Sequence, residues 1–171
     1  FPEISEFSET VIPGATWVFD GTNSLWHERG AWNGWSYDAL PIIGHVFANG
    51  AHLVGSSETG VIYQQSLSLA TNTDGTTGIR WNRRAPHLVN ELRRTTYDLF
   101  RLHAQVGVGL PTGQGSDPKV ALSYSDDGGQ SFGNVLWASL GAIGQYGTLV
   151  DWRILGQSRD RVFDLYGSDP V

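Results

Sequence analysis

The stretch Gly44-His45-Val46-Phe47-Ala48-Asn49-Gly50-Ala51-His52-Leu53-Val54-Gly55-Ser56 decides the fold class. Two runs of alternating character flank Asn49-Gly50, the strongest short hairpin signal, because both central positions of a type I′ turn need positive φ. A period of two belongs to a strand and not to a helix. The pattern continues on both sides. Upstream, residues 15–20 (ATWVFD) and 25–29 (LWHER) are joined by Gly21-Thr22-Asn23, which reads as another hairpin. Downstream, residues 60–65 (GVIYQQ) follow the break at 57–59, and residues 79–84 (IRWNRR) make a sixth candidate strand stopped by Pro86. Short strands at roughly 8–12 residue spacing are those of sandwiches and propellers.

Residues 88–103 carry two periods. Leu88, Leu92, Thr95, Leu99 and Leu102 suit a helix face, whereas Phe100, Leu102, Ala104, Val106 and Val108 alternate as a strand does. The β-branched and aromatic content, with glycines closing the run, predicts a strand from about Thr95 to Val108 after a short helical turn. Beyond the Gly/Pro/Ser-rich loop at 109–118, alternation returns at Val120, Leu122 and Tyr124 and continues through 132–139. Residues 148–155 and 161–166 read as a hairpin around Gly156-Gln157-Ser158. The expectation is an antiparallel all-β chain of ten or eleven short strands. It divides into an aromatic-rich, propeller-blade-like hairpin region at 1–86 and a sandwich-like region at 87–171.

Composition agrees with a packed β protein. The chain has 171 residues, 40% of them hydrophobic and only 16% charged, with 7 Trp, 6 Tyr and 7 Phe. That aromatic content excludes disorder, and the 22 glycines are scattered and not spaced in threes as collagen requires. No apolar run approaches the roughly 20 residues that cross a bilayer, so no membrane partner is expected. The absence of Cys removes disulfides and thiolate chemistry. The start, Phe1-Pro2-Glu3, has neither initiator Met nor signal pattern, and no Met occurs anywhere, so the chain reads as a processed or excerpted piece.

Little in the sequence asks for catalysis. Asp20, Glu28, Asp38 and Glu58 are available carboxylates, but no spacing singles out a pair for glycoside hydrolysis. Phosphate loops and nucleophile elbows are absent. Of the five histidines (His27, His45, His52, His87, His103), only His45 and His52 face each other, across the Asn49-Gly50 turn, with no third ligand at metal-site spacing. No cofactor and no metal are expected. Trp26, Trp32, Trp35 and Tyr37 lie within twelve residues and either fill a core or offer a sugar platform. Ser125-Asp126-Asp127-Gly128-Gly129-Gln130-Ser131-Phe132 matches the Asp-box pattern. In that turn Asp127 accepts bonds from nearby backbone N–H groups beside Ser125 and Ser131, Gly129 supplies a strained φ, and Phe132 is buried beneath. An Asp box is a folding device.

Charge is distributed unevenly. The formal net charge is −6, and residues 79–103 hold six arginines (Arg80, Arg83, Arg84, Arg93, Arg94, Arg101) against Glu91 and Asp98, so this window carries +4 and the rest −10. A pI near 5.2 argues against a dedicated nucleic-acid binder. A local basic band on an acidic body is instead a candidate subunit interface, because guanidinium forks pair with carboxylates.

The order of motifs in the second half carries a resemblance. Asp117-Pro118-Lys119-Val120 leads into Leu122-Ser123-Tyr124-Ser125-Asp126-Asp127-Gly128-Gly129, then Leu140-Gly141-x-x-Gly144-x-Tyr146, then Trp152-Arg153-Ile154-Leu155-Gly156-Gln157-Ser158-Arg159-Asp160-Arg161-Val162-Phe163, and finally Ser168-Asp169-Pro170-Val171. Upstream, Thr16-Trp17-Val18-Phe19-Asp20, Trp26-His27-Glu28-Arg29, Gly60-Val61-Ile62-Tyr63 and Arg83-Arg84-Ala85-Pro86-His87 fit the same pattern. This resembles the C-terminal part of the packaged-DNA stabilisation proteins of short-tailed bacteriophages, the tail hub or nozzle family. The resemblance implies a non-enzymatic virion protein of the phage tail with propeller-like β architecture. Copies would form a homo-oligomeric ring between portal or adaptor and tail spike or needle, through which DNA passes without sequence-specific binding. An acidic body suits a channel that does not grip phosphate. The alternative reading is an Asp-box propeller that binds or cleaves glycans.

Overall fold

The computed structural model describes residues 14–66, 71–72 and 77–169. The Phe1-Pro2-Glu3 start and the Pro170-Val171 pair lie outside the described residues. Among the described residues there is no helix, and every strand pairing is antiparallel. The chain divides into two compact units, Phe1–Leu67 and Ser68–Val171. That boundary lies upstream of the one expected at 86/87, because the strand at Trp81–Arg84 pairs with Asp160–Gly167 and not with the hairpins before it.

The first unit holds β1 (Thr16–Asp20), β2 (Leu25–Trp32), β3 (Tyr37–Ala39), β4 (Ile42–Ala48), β5 (Ala51–Ser56) and β6 (Ile62–Gln65). They form two meanders, β1-β2-β3 and β4-β5-β6. The β4–β5 turn is as expected: Asn49 and Gly50 have φ of 53° and 77°, and Ala48 sits opposite Ala51. At the β1–β2 turn, Asp20 Oδ1 accepts the N–H groups of Thr22 (2.8 Å) and Asn23 (3.4 Å). Its other oxygen accepts the Asn23 amide at 2.7 Å, and these bonds hold the Asp20 carboxyl below the usual range. Among the described residues the two sheets do not close into a propeller.

The second unit holds β7 (Trp81–Arg84), β8 (Leu88–Val89), β9 (Thr95–Thr96), β10 (Leu99–Leu102), β11 (Lys119–Ser125), β12 (Leu136–Ser139), β13 (Val150–Arg153), β14 (Gln157–Ser158) and β15 (Asp160–Gly167). Its main sheet runs β12-β11-β15-β7, with β8 also on β15. The β10–β13 pair covers one face. Val120 and Leu122 of β11 and Phe163 and Leu165 of β15 meet Val150 and Trp152 of β13, together with Leu140 and Leu155. Phe100 of β10 reaches across, 4.7 Å from the Phe163 ring and 5.8 Å from Trp152. The Trp152 indole N–H donates to the Leu136 carbonyl at 2.9 Å, so the core has no polar debt there. Each of these buried side chains contributes about 1.5–3 kcal/mol.

Four local expectations change. The strand foreseen over 95–108 is broken into β9 and β10: the Tyr97 N–H donates to Gly156 O (2.9 Å) and Tyr97 O accepts from Leu155 (2.9 Å), and beyond Leu102 the Gly107 N–H turns to Leu140 O. The turn before it is not helical. Glu91 (φ 48°) and Leu92 (φ 57°) are left-handed, and the Arg93 N–H closes onto Asn90 O at 2.8 Å. The run at 132–139 pairs only over β12. Finally, β13 and β15 are not a hairpin, since β13 pairs with β10 and β15 with β11, β7 and β8. Ile154 (φ 59°) and Gly156 (φ 78°) swing the chain out, and Gln157–Ser158 becomes β14 beside β9.

Candidate functional site

At the end of β11 the Asp-box residues form a tight polar turn. The Ser125 hydroxyl donates to Asp127 Oδ1 at 2.6 Å and accepts the Gly129 N–H at 2.8 Å. Asp127 Oδ1 also accepts the N–H groups of Gln130 (3.0 Å) and Ser131 (2.9 Å), and Oδ2 accepts the Ser131 hydroxyl (2.5 Å). The Ser125 and Ser131 hydroxyls, then the Ser131 and Gln130 N–H groups, hold the Asp127 carboxyl well below the usual range. Gly129 has φ 87°, which an L side chain rarely adopts. Phe132 is half-buried and carries the Arg84 guanidinium 4.5 Å above its ring.

The neighbouring Asp126 leads to a residue sequence reasoning missed. Arg161 on β15 is 1% exposed. Its Nε and Nη2 donate to the two Asp126 oxygens at 2.6 and 2.7 Å, and Nη1 donates to Leu155 O at 2.6 Å. The guanidinium lies 4.1 Å from the Tyr124 ring centre and 4.6 Å from that of Tyr97. Arg161 depresses the Asp126 carboxyl. A buried, bidentate and stacked arginine ties the polar turn to the core.

The six band arginines do not form one surface. Arg84 and Arg101 stand directly opposite Asp164 and Asp151 on the paired strands, at 3.4 and 2.6 Å. Hydrogen bonding and charge at that second pair raise the Arg101 pKa and lower that of Asp151, which Arg153 also contacts at 3.1 Å. Arg80 lies 4.2 Å over the Tyr166 ring. Arg93 pairs with Glu91 at 3.4 Å, both exposed, a contact worth little. Arg83, on the edge strand β7, and Arg94 are exposed and have no ion pair among the described residues.

The remaining candidates stay apart. Asp20 holds the β1–β2 turn, whereas Asp38 accepts the Asn33 amide (2.9 Å) and pairs with Ala31, about 20 Å away along β2. Glu28 and Glu58 are exposed. Trp26 meets Phe19 (5.1 Å), Trp32 meets Tyr37 (4.9 Å), and Trp35 is 93% exposed. His87 bonds Asp160 at 2.9 Å, and His45 contacts His52 at 2.9 Å. No group of three metal-ligating side chains occurs among the described residues.

The polar clusters of the second unit thus fasten strands and turns to one another, as in a structural β-sandwich module. The family model described as Bacteriophage P22 Gp10, beta-sandwich, matches residues 80–171, just over half of the chain, and the chain belongs to that family. It is a structural protein of the phage tail and a component of the virion. No curated protein matches the chain.

Proposed function

We propose that the chain serves as part of a tail hub or nozzle: a homo-oligomeric ring that continues the DNA channel between portal or adaptor and the spike or needle, and helps retain the packaged genome. The observation that supports it, beside family membership, is the placement of charge. All of the −6 resides in residues 1–67, which have seven acids and one arginine, while residues 68–171 have ten of each sign. Arg83 and Arg94 are the band arginines whose charge is met neither by an acid nor by an aromatic ring among the described residues. A carboxylate of the next copy meets them, a heterologous contact of the kind that closes rings.

The test is charge reversal. Arg83→Glu with Arg94→Glu blocks ring assembly, read by electron microscopy and sedimentation, while circular dichroism shows an unchanged monomer. Intact rings that lose DNA in a retention assay place these arginines in the lumen instead. Intact rings that hold DNA overturn the assigned role of both residues.

A further inference from the structure

We propose that His45 and His52 form a two-histidine site for a divalent transition metal of the Cu(II) or Ni(II) type on the β4–β5 hairpin. His45 Nε2 lies 2.9 Å from His52 Nδ1, and the rings are stacked, with centroids 5.1 Å apart and planes at 22°. Both side chains are exposed. The register explains the approach: His45 sits opposite Val54 and His52 opposite Phe47, so the two histidines are diagonal neighbours on one face. Gly44, with φ 72°, shifts the register between Ile43 and His45, and the tight Asn49-Gly50 turn fixes the strands on the other side. Phe47 packs against His52 at 4.8 Å, which restrains that ring.

The separation is within reach of a shared metal ion. Bonds of about 2.05 Å to imidazole nitrogens put two ligands about 2.9 Å apart at a right angle, and about 3.3 Å apart at the tetrahedral angle. The observed 2.9 Å is the length of the hydrogen bond between the two rings, and it already lies close to the cis spacing, so little movement seats an ion of the Cu(II) or Ni(II) type, which bind imidazole strongly. Without metal, one ring N–H donates to the other ring's bare nitrogen. Binding requires only that this ring carry its proton on its other nitrogen, so both facing nitrogens present lone pairs and no net proton is lost from neutral imidazoles. Two protein ligands leave the remaining positions to water. Gln65, opposite His52 on β6, lies on the same face.

The experiment is a Cu²⁺ titration of the whole chain followed by electron paramagnetic resonance and calorimetry. One equivalent binds, and the spectrum shows coupling to two imidazole nitrogens. His45→Gln and His52→Gln each weaken binding at least about tenfold and reduce the coupling to one nitrogen, whereas His103→Gln changes neither. Affinity falls as the solution is acidified, since protons compete for the same lone pairs. A spectrum unchanged in the double variant, or one lacking two-nitrogen coupling in the wild type, overturns the site. Tighter binding of Zn²⁺ than of Cu²⁺ overturns the assignment of the metal.

Discussion

The two units are built from the same alphabet of short, alternating strands and come out energetically different. In the second, β11 is covered on both faces, and among the described residues ten of the eleven buried hydrophobics lie in this unit, against Val54 in the first. In the first, Trp17, Phe19, Trp26, Ile43, Phe47 and Ile62 each leave half or more of their surface in solvent. The first also carries the entire net charge. Alternation therefore specifies strands in both but a core in only one, because a core needs a second layer and the period of a strand does not say where that layer comes from. Small sheets with open aromatic faces are suited to assembly, and a sandwich with a closed apolar centre is suited to independent stability.

Leu122→Ala probes that contrast most strongly. Leu122 is fully buried, so its truncation costs about 3–4 kcal/mol by lost transfer energy and a residual cavity. Urea denaturation of the second unit reads the loss, and hydrogen exchange in β1–β6 stays unchanged. A comparable loss of protection in the first unit breaks the separation drawn here.

Arg161→Met comes next, at about 3 kcal/mol. It keeps much of the stem but leaves the Leu155 carbonyl and the Asp126 carboxylate without their donor, and opens the stack between Tyr97 and Tyr124. Near-ultraviolet circular dichroism follows the tyrosine environment. Full stability in the variant removes the guanidinium from the account of the core.

Acid sharpens the comparison further. Asp126, Asp127 and Asp151 of the second unit have folded pKa values below the ordinary one, against Asp20 alone among the described residues of the first. The unfolded chain thus takes up protons first as pH falls. The stabilisation is complete above about pH 5 and drains away below it. Thermal melts at pH 6 and pH 3 show the larger drop in the second unit, and Asp127→Ala, which lowers the melting temperature at pH 6, narrows that gap. Equal drops in the two units contradict the assignment. The smallest effect belongs to Ile43→Ala. This side chain is 66% exposed, and its loss changes the stability of the isolated chain by under about 0.5 kcal/mol.

Much of the strand inventory was legible, because its signals are local. Asn49-Gly50 announces its turn, and Val120-x-Leu122-x-Tyr124 announces the core face of β11. Pairing was less legible. Residues 148–166 read as a hairpin, yet Ile154 takes a left-handed conformation that a β-branched residue does not advertise, and β13 and β15 part. The basic band was a window in sequence and not a patch in space: Asp164 and Asp151, eighty and fifty residues later, stand opposite Arg84 and Arg101. Arg161 carried a signal that went unread. It lies in one period-two row with Phe163 and Leu165, so the alternation alone puts its guanidinium on the apolar face.

The position of β15 also sets a timetable. This one strand pairs with Ser125 and its predecessors in β11, with Arg84 through Trp81 in β7, and with Leu88 and Val89 in β8. The Trp81–Gly167 partnership spans a loop of more than eighty residues, whose closure entropy is met before any contact rewards it. During synthesis the local hairpins of residues 16–65 form as they emerge, while the sandwich waits until residues 160–167 have left the ribosome. Until then β11 and β7 present unpaired edges, and that interval is when newly made chains are most prone to join the wrong neighbour.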